Sequence, residues 1–245
     1  MSRFSEAQLE ILADPEALSR RAADWLLAAA LAAPGLFAVA LSGGSTPRRL
    51  YERLAAAPDR EAFPLPRVHW FWGDERFVPK ADPRSNERMV REALLSHVPV
   101  PPDNIHPIPT EGLDAAAAAA AYERDLQRFY GAARLDPVRP LFDATLLGLG
   151  PDGHTASLFP GAAALEEHER WTAVVAGLQS ETRITLTYPA LASSRRTAFL
   201  VEGAEKRAIL TRLRTVPDAG LPAARLNSVG ALWIFADQAA AEGLA

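Results

Sequence analysis

Short unbroken apolar runs alternate along this chain with stretches in which apolar residues return every three or four positions, which predicts buried strands separated by amphipathic helices. Asp14-Pro15-Glu16 announces the first helix, with a side-chain cap followed by proline at the first helical position. Leu18, Ala22, Trp25 and Ala29 give it one apolar face, and it should end near Pro34-Gly35. Leu36 to Leu41 is wholly apolar, as in a strand covered on both faces. It runs into Ser42-Gly43-Gly44-Ser45-Thr46-Pro47, where Thr46 is placed to cap a helix that starts at Pro47 and continues through Leu50 and Leu54.

The alternation continues. Val68 to Trp72 reads as a strand ending at Gly73-Asp74-Glu75-Arg76, and Ser85 to Leu95 as a helix with apolar Met89, Val90, Ala93 and Leu94. Proline-rich Val98 to Pro109 is a loop with one short strand at Ile105, because proline cannot donate to a ladder. Asp114 caps a helix that opens on seven alanines, Ala115 to Ala121; helix propensity accounts for that run, and it carries no chemistry. Further strands are expected at Phe142 to Leu147, Thr172 to Val175, Ile184 to Leu186, Thr197 to Val201 and Ala231 to Phe235. Strands alternating with helices predict the α/β class: a three-layer α/β/α arrangement with a mainly parallel central sheet and ligands at the carboxyl ends of its strands. With neither an internal repeat nor a linker, residues 1–245 read as one domain.

Composition acts by exclusion. At 49% hydrophobic and 23% charged, the 245 residues suit a packed core and exclude a disordered or fibrous chain. The net charge of −4, from 30 acidic and 26 basic residues mixed along the chain, offers no basic tract for nucleic acid. The absence of cysteine removes disulfides, thiolate nucleophiles and thiolate metal sites, which suits the cytoplasm. Trp25 to Leu41 contains 17 uncharged residues but is broken by Pro34-Gly35 and is shorter than the ~20 needed to cross a bilayer, so neither a membrane span nor a secretion signal is expected.

The candidate chemistry lies in four segments. In the loop 42–47, free backbone amides at a helix N-terminus attract an anion, and Ser45 and Thr46 add hydroxyl donors beside Gly43 and Gly44. A phosphate fits there, as does a plain tight turn; the loop matches neither the Walker nor the dinucleotide glycine pattern. Asp74 and Arg76 follow the next strand, with Arg76 a forked partner for phosphate and Asp74 able to take a proton or hold a hydroxyl; alone, the tetrapeptide also suits a surface turn. After the strongest central-strand candidate comes Gly148-Leu149-Gly150-Pro151-Asp152-Gly153-His154, a glycine turn that presents an imidazole with a carboxylate two residues away. His154 is the one histidine of five in such a setting; His69, His97, His106 and His168 are read as structural. No His-x-x-x-His pair points to a metal, and no Gly-x-Ser-x-Gly elbow to a serine nucleophile. Lys206 stands where a new helix opens, disfavoured by the helix dipole unless it serves an anion, or else simply solvated.

Together the ordered segments Leu-Ser-Gly-Gly-Ser-Thr-Pro (41–47), Trp-Gly-Asp-Glu-Arg (72–76) with Ser85-Asn86, Gly-Leu-Gly-Pro-Asp-Gly-His-Thr-Ala-Ser-Leu-Phe-Pro (148–160) and Gly-Ala-Glu-Lys (203–206) resemble the 6-phosphogluconolactonase branch of the family shared with glucosamine-6-phosphate deaminase. The resemblance implies hydrolysis of 6-phospho-D-glucono-1,5-lactone to 6-phosphogluconate in the oxidative pentose phosphate pathway, with no cofactor. It implies phosphate binding near Gly43 to Thr46, Arg76 and Lys206, His154 as base, and Asp152 as the residue that orients or tunes it.

Two alternatives belong beside it. In the deaminase branch Asp74 would be a base, but there the Asp-Gly-His turn is followed by Asn-Glu-Pro, whereas this chain has Ser157-Leu158-Phe159-Pro160. Related folds also serve as sugar-phosphate sensors in regulators with a DNA-binding helix-turn-helix, for which the 14 residues before the first predicted helix leave no room.

Overall fold

A computed structural model describes residues 3–216 and 220–244. Seven strands, β1 (Gln8–Leu12), β2 (Phe37–Leu41), β3 (Val68–Trp72), β5 (Ile105–His106), β6 (Ala144–Gly148), β9 (Arg196–Val201) and β10 (Ala231–Asp237), form one sheet in the order β1-β10-β9-β6-β2-β3-β5. Every pairing in it is parallel. The predicted α/β class with its parallel central sheet is therefore what the chain adopts. β2 and β6 lie side by side at its centre, and β2, wholly apolar, is buried at all five positions.

Helices cover both faces. Helix Pro15–Ala32, capped by Asp14 Oδ1 on the Ala17 amide at 2.7 Å, buries Leu18, Ala22, Trp25 and Ala29 as the spacing predicted, and its Trp25 packs edge-on against Trp233 and Phe235 of β10. On β3 the period-two alternation sends Trp70 to stack on Phe63, while His69 and Phe71 meet Phe129 of helix Ala115–Tyr130 on the opposite side. That second helix begins where Asp114 accepts from the Ala117 amide, and ends at Gly131, whose left-handed φ of 77° suits a residue with no side chain.

The structure departs from or adds to the sequence reading at three places. Gln8–Leu12, which the polar N-terminal stretch gave no reason to call a strand, adds β1 to the edge beside β10. Asp74–Arg76 is not merely a turn: it forms strand β4, antiparallel to β8 (Arg183–Leu186), which pairs antiparallel with β7 (Thr172–Val175) in a separate three-stranded sheet. Helix Ala115–Tyr130 anchors the start of β7: the Glu123 carboxylate accepts from the Trp171 and Thr172 amides, and Thr172 Oγ1 donates to the Ala119 carbonyl. Lastly, helix Ser45–Leu54 begins at Ser45, one residue before the expected Thr46 cap; Gly44 holds the cap position and supplies no side-chain hydrogen bond.

Candidate active site

The strand order places the site. Sequence neighbours β2, β3 and β5 run to one side of the sheet and β6, β9 and β10 to the other, so the direction reverses between β2 and β6, where ligands of open α/β sheets bind. The four segments singled out in the sequence follow β3, β2, β6 and β9, which are adjacent, and emerge together at their carboxyl ends. They line one cleft of about 390 Å³ that includes Gly43 to Thr46, Asp74, Arg76, His154 and Lys206.

Two buried tyrosines fix the strand ends from which these loops leave. Tyr51 Oη accepts from the Ser42 amide at 3.0 Å and donates to the Ser42 carbonyl at 2.8 Å; Tyr122 Oη does the same for Trp72 at 2.9 and 2.8 Å. Each hydroxyl satisfies a main-chain donor and acceptor where the chain turns away from the sheet. Burial, first of all, pushes both hydroxyls well above the usual tyrosine range, so they remain protonated donors. Beyond Ser42, helix Ser45–Leu54 opens without a side-chain cap, leaving its first-turn amides to a ligand or to water.

After β6 the glycine turn is closed by its own main chain, with the Gly150 amide donating to the His154 carbonyl at 2.9 Å and Thr155 Oγ1 to the Gly148 carbonyl at 3.0 Å. Because the His154 imidazole lies against the Gly150 Cα, any Cβ there would overlap the ring. Asp152 Oδ1 takes the His154 amide at 3.1 Å and lies 2.5 Å from Nδ1, while Phe159 packs on the other side with ring centroids 4.4 Å apart. Partial burial opposes the ionised form of Asp152, but the hydrogen bonds from His154 prevail and hold its carboxyl below the usual value. With Nδ1 committed to a carboxylate, Nε2 is the ring nitrogen left for chemistry. Ala156, which also lines the cleft, adopts φ 48°, a left-handed conformation that costs an L residue roughly 1–2 kcal/mol.

Asp74 is 5% exposed and turns its carboxylate toward the same turn, where Oδ2 accepts from Ser157 Oγ at 2.6 Å. Arg76 Nη1 donates to the Arg84 carbonyl at 2.6 Å, and its buried Nε has no partner. Lys206 ends a 3-10 turn, Ala204–Lys206, at the cap position of helix Arg207–Thr215, so it precedes the first helical turn in which the sequence placed it.

Sequence reasoning missed Arg183. It lines the cleft from β8, in register with Arg76 on β4, and its Nη1 is 4.0 Å from Asp74 Oδ2. Its guanidinium lies over Phe159, 5.6 Å from the ring centroid, and its buried Nε also lacks a partner. Burial, then the charge of Arg76, pushes the Arg183 guanidinium below its usual range, against the pull of Asp74 and Glu181. The other four histidines lie away from the cleft. Among the described residues no three His, Asp or Glu side chains converge as a metal ion requires.

The family model for glucosamine-6-phosphate isomerases/6-phosphogluconolactonase matches residues 13–234. The chain belongs to this family. A 6-phosphogluconolactonase of Nostoc sp. is 40% identical over 240 residues, covering 96% of this chain and 97% of its own. One of Synechocystis sp. is 40% identical over 244 residues, covering 97% and 98%. The solved 6-phosphogluconolactonase of Trypanosoma brucei superposes with a TM-score of 0.85 at 29% identity, covering 98% of this chain and 99% of that one. All four ordered segments lie inside the matched range.

Proposed function

We propose that this chain hydrolyses 6-phospho-D-glucono-1,5-lactone to 6-phospho-D-gluconate in the oxidative pentose phosphate pathway, with His154 as the base. The observation that carries the reading is His154, which lines one cleft with Arg76, Arg183, Lys206 and the uncapped Ser45 helix and is held from behind the lining by Asp152, 2.5 Å from its Nδ1. Near-complete overlap with relatives named for that activity supports it.

In this reading the phosphate sits against the Gly43-Gly44-Ser45-Thr46 amides and hydroxyls with Arg76, Arg183 and Lys206 as counter-charges, which sets the lactone carbonyl before His154. Nε2 accepts a proton from water as the water oxygen bonds to C1. The C1–ring-oxygen bond then breaks, and the Nε2 proton passes to the departing ring oxygen, restoring the imidazole. Asp152 keeps Nδ1–H as donor and stabilises the charged ring between the two transfers. General-base assistance of about 10²–10⁴-fold suits a lactone, an already activated ester. Asp74, oriented by Ser157, is placed to hold a sugar hydroxyl. The Gly150 and Gly153 amides are engaged inside the turn, with the His154 and Gly150 carbonyls, and so take no part in stabilising the oxyanion.

Phe159 argues against the deaminase alternative. It stands immediately before Pro160, where the deaminase element carries a carboxylate, and it presents an aromatic ring to His154. No helix of the described residues is long and apolar enough to cross a membrane. The test is an assay on freshly generated lactone, corrected for spontaneous hydrolysis. The protein should exceed the buffer rate and His154→Ala should abolish the excess; an unchanged mutant rate removes His154 from the chemistry.

A further inference from the structure

Glu75 lies between two cleft residues, yet its own side chain points into the protein and is 1% exposed. Four donors converge on its carboxylate. Oε1 accepts from the Arg76 and Asn86 amides, both at 2.7 Å, and Oε2 from the Glu87 amide at 2.6 Å and Ser85 Oγ at 3.1 Å. Two of those amides belong to the first turn of helix Asn86–Val90, so the carboxylate caps that helix from a distant strand. Burial pushes the Glu75 carboxyl up to about 7, against the pull of the Asn86, Glu87 and Arg76 amides. A buried carboxylate is a costly way to hold a loop. What it holds explains its presence.

The neighbours it fixes are cleft residues. Asn86 lines the cleft, donates from Nδ2 to the Asp74 carbonyl at 2.9 Å, and lies so close to Gly43 that a Cβ on Gly43 would overlap its side chain. Arg76, whose amide binds Oε1, has its guanidinium tied to the carbonyl of Arg84, the residue before Ser85. One carboxylate thus ties together both ends of the 76–86 loop and, through Asn86, the glycine turn after β2.

We propose that Glu75 is a positioning residue for anion binding: it locks Asn86 against the Gly43 turn and Arg76 into the cleft, so that loop amides and guanidinium converge on one phosphate. This deepens the phosphate site assumed above and rests on it. It also gives the Glu75, Ser85 and Asn86 spacing a physical purpose.

The test compares Glu75→Gln with Asn86→Ala. Glutamine keeps the shape but turns an Nε2 donor toward groups that are themselves donors. The expected result for both variants is a roughly tenfold rise in KM for the lactone and in Kd for inorganic phosphate, with kcat changed far less. The double variant should be no worse than the poorer single one, since both cut the same link. A purely structural Glu75 would lower the melting temperature and leave phosphate affinity alone. A folded Glu75→Gln protein with wild-type Kd for phosphate overturns the proposal, as does wild-type KM in Asn86→Ala should Glu75→Gln fail to fold. If the wild-type protein left the lactone intact, the proposed reaction would fall, and the phosphate Kd of the variants would still decide on Glu75.

Discussion

Arg76 and Arg183 face each other in register across the β4–β8 ladder, two like charges at the mouth of one cleft. Such a cross-strand pair works against the sheet by roughly 0.2–1 kcal/mol until an anion bridges it. Asp74 and Glu181 offset part of the Arg183 charge, at 4.0 and 3.5 Å. Replacing Arg183 with methionine should therefore leave melting in phosphate-free buffer nearly unchanged while raising KM at least tenfold. Phosphate should raise the melting temperature of the wild type and much less that of the variant. An equal phosphate shift in both would exclude Arg183 from the anion site.

Asp152 and His154 lend themselves to a different separation. If Asp152 only holds the ring, Asp152→Asn should keep the fold and KM but lower kcat by at least about tenfold, because the amide lets Nδ1 act as acceptor and misplaces the tautomer. Steady-state kinetics of the variant measure this directly, and a rise in KM alone would make Asp152 a binding residue.

Much of this site was legible in the sequence because its glycine turns follow predicted strands, the first of them an unbroken apolar run. The β2 and β6 segments put loops 42–47 and 148–154 at strand ends, and those strands prove to be adjacent. Arg183 was not legible: it opens a four-residue strand and belongs to no motif, and only its register with Arg76 brings it to the cleft. β4 was hidden for a related reason, since three residues of Asp-Glu-Arg carry no apolar signal and become a strand only through their pairing with β8. The early start of helix Ser45–Leu54 follows from local chemistry, because a glycine cap without a side chain leaves its amides to a ligand where Thr46 would have satisfied one.

Tyr51 connects packing to binding. Removing its hydroxyl by Tyr51→Phe strips the Ser42 amide and carbonyl of their buried partner, which should cost about 1–3 kcal/mol and loosen the loop that follows. Denaturant titration should therefore show lower stability together with a raised KM. Tyr122→Phe removes the equivalent bonds at Trp72 and should lose comparable stability. A Tyr51→Phe protein as stable as the wild type would mean that water replaces the hydroxyl at no cost.

Away from the cleft, His69 should govern part of the response to acid. Its Nδ1 lies 3.0 Å from His106 Nε2, and His106 Nδ1 lies 2.9 Å from Asp125 Oδ2, in a stack with Phe71 and Phe129. Burial, and then the proximity of His106, lowers the His69 pKa from its ordinary value. Arg128, 3.2 Å from the other Asp125 oxygen, draws on the same carboxylate. Because the folded state releases a proton that the unfolded chain keeps, the unfolded chain binds more protons just below about pH 6.5, and stability must fall as pH drops through that value. His69→Gln removes the titrating group while keeping a side-chain donor for His106. Urea midpoints measured from about pH 8 to about pH 5 should decline less steeply in this variant than in the wild type. Parallel declines would place the acid sensitivity elsewhere. Because His69 lies outside the cleft, the variant should keep wild-type kcat and KM near neutral pH, separating this effect from catalysis.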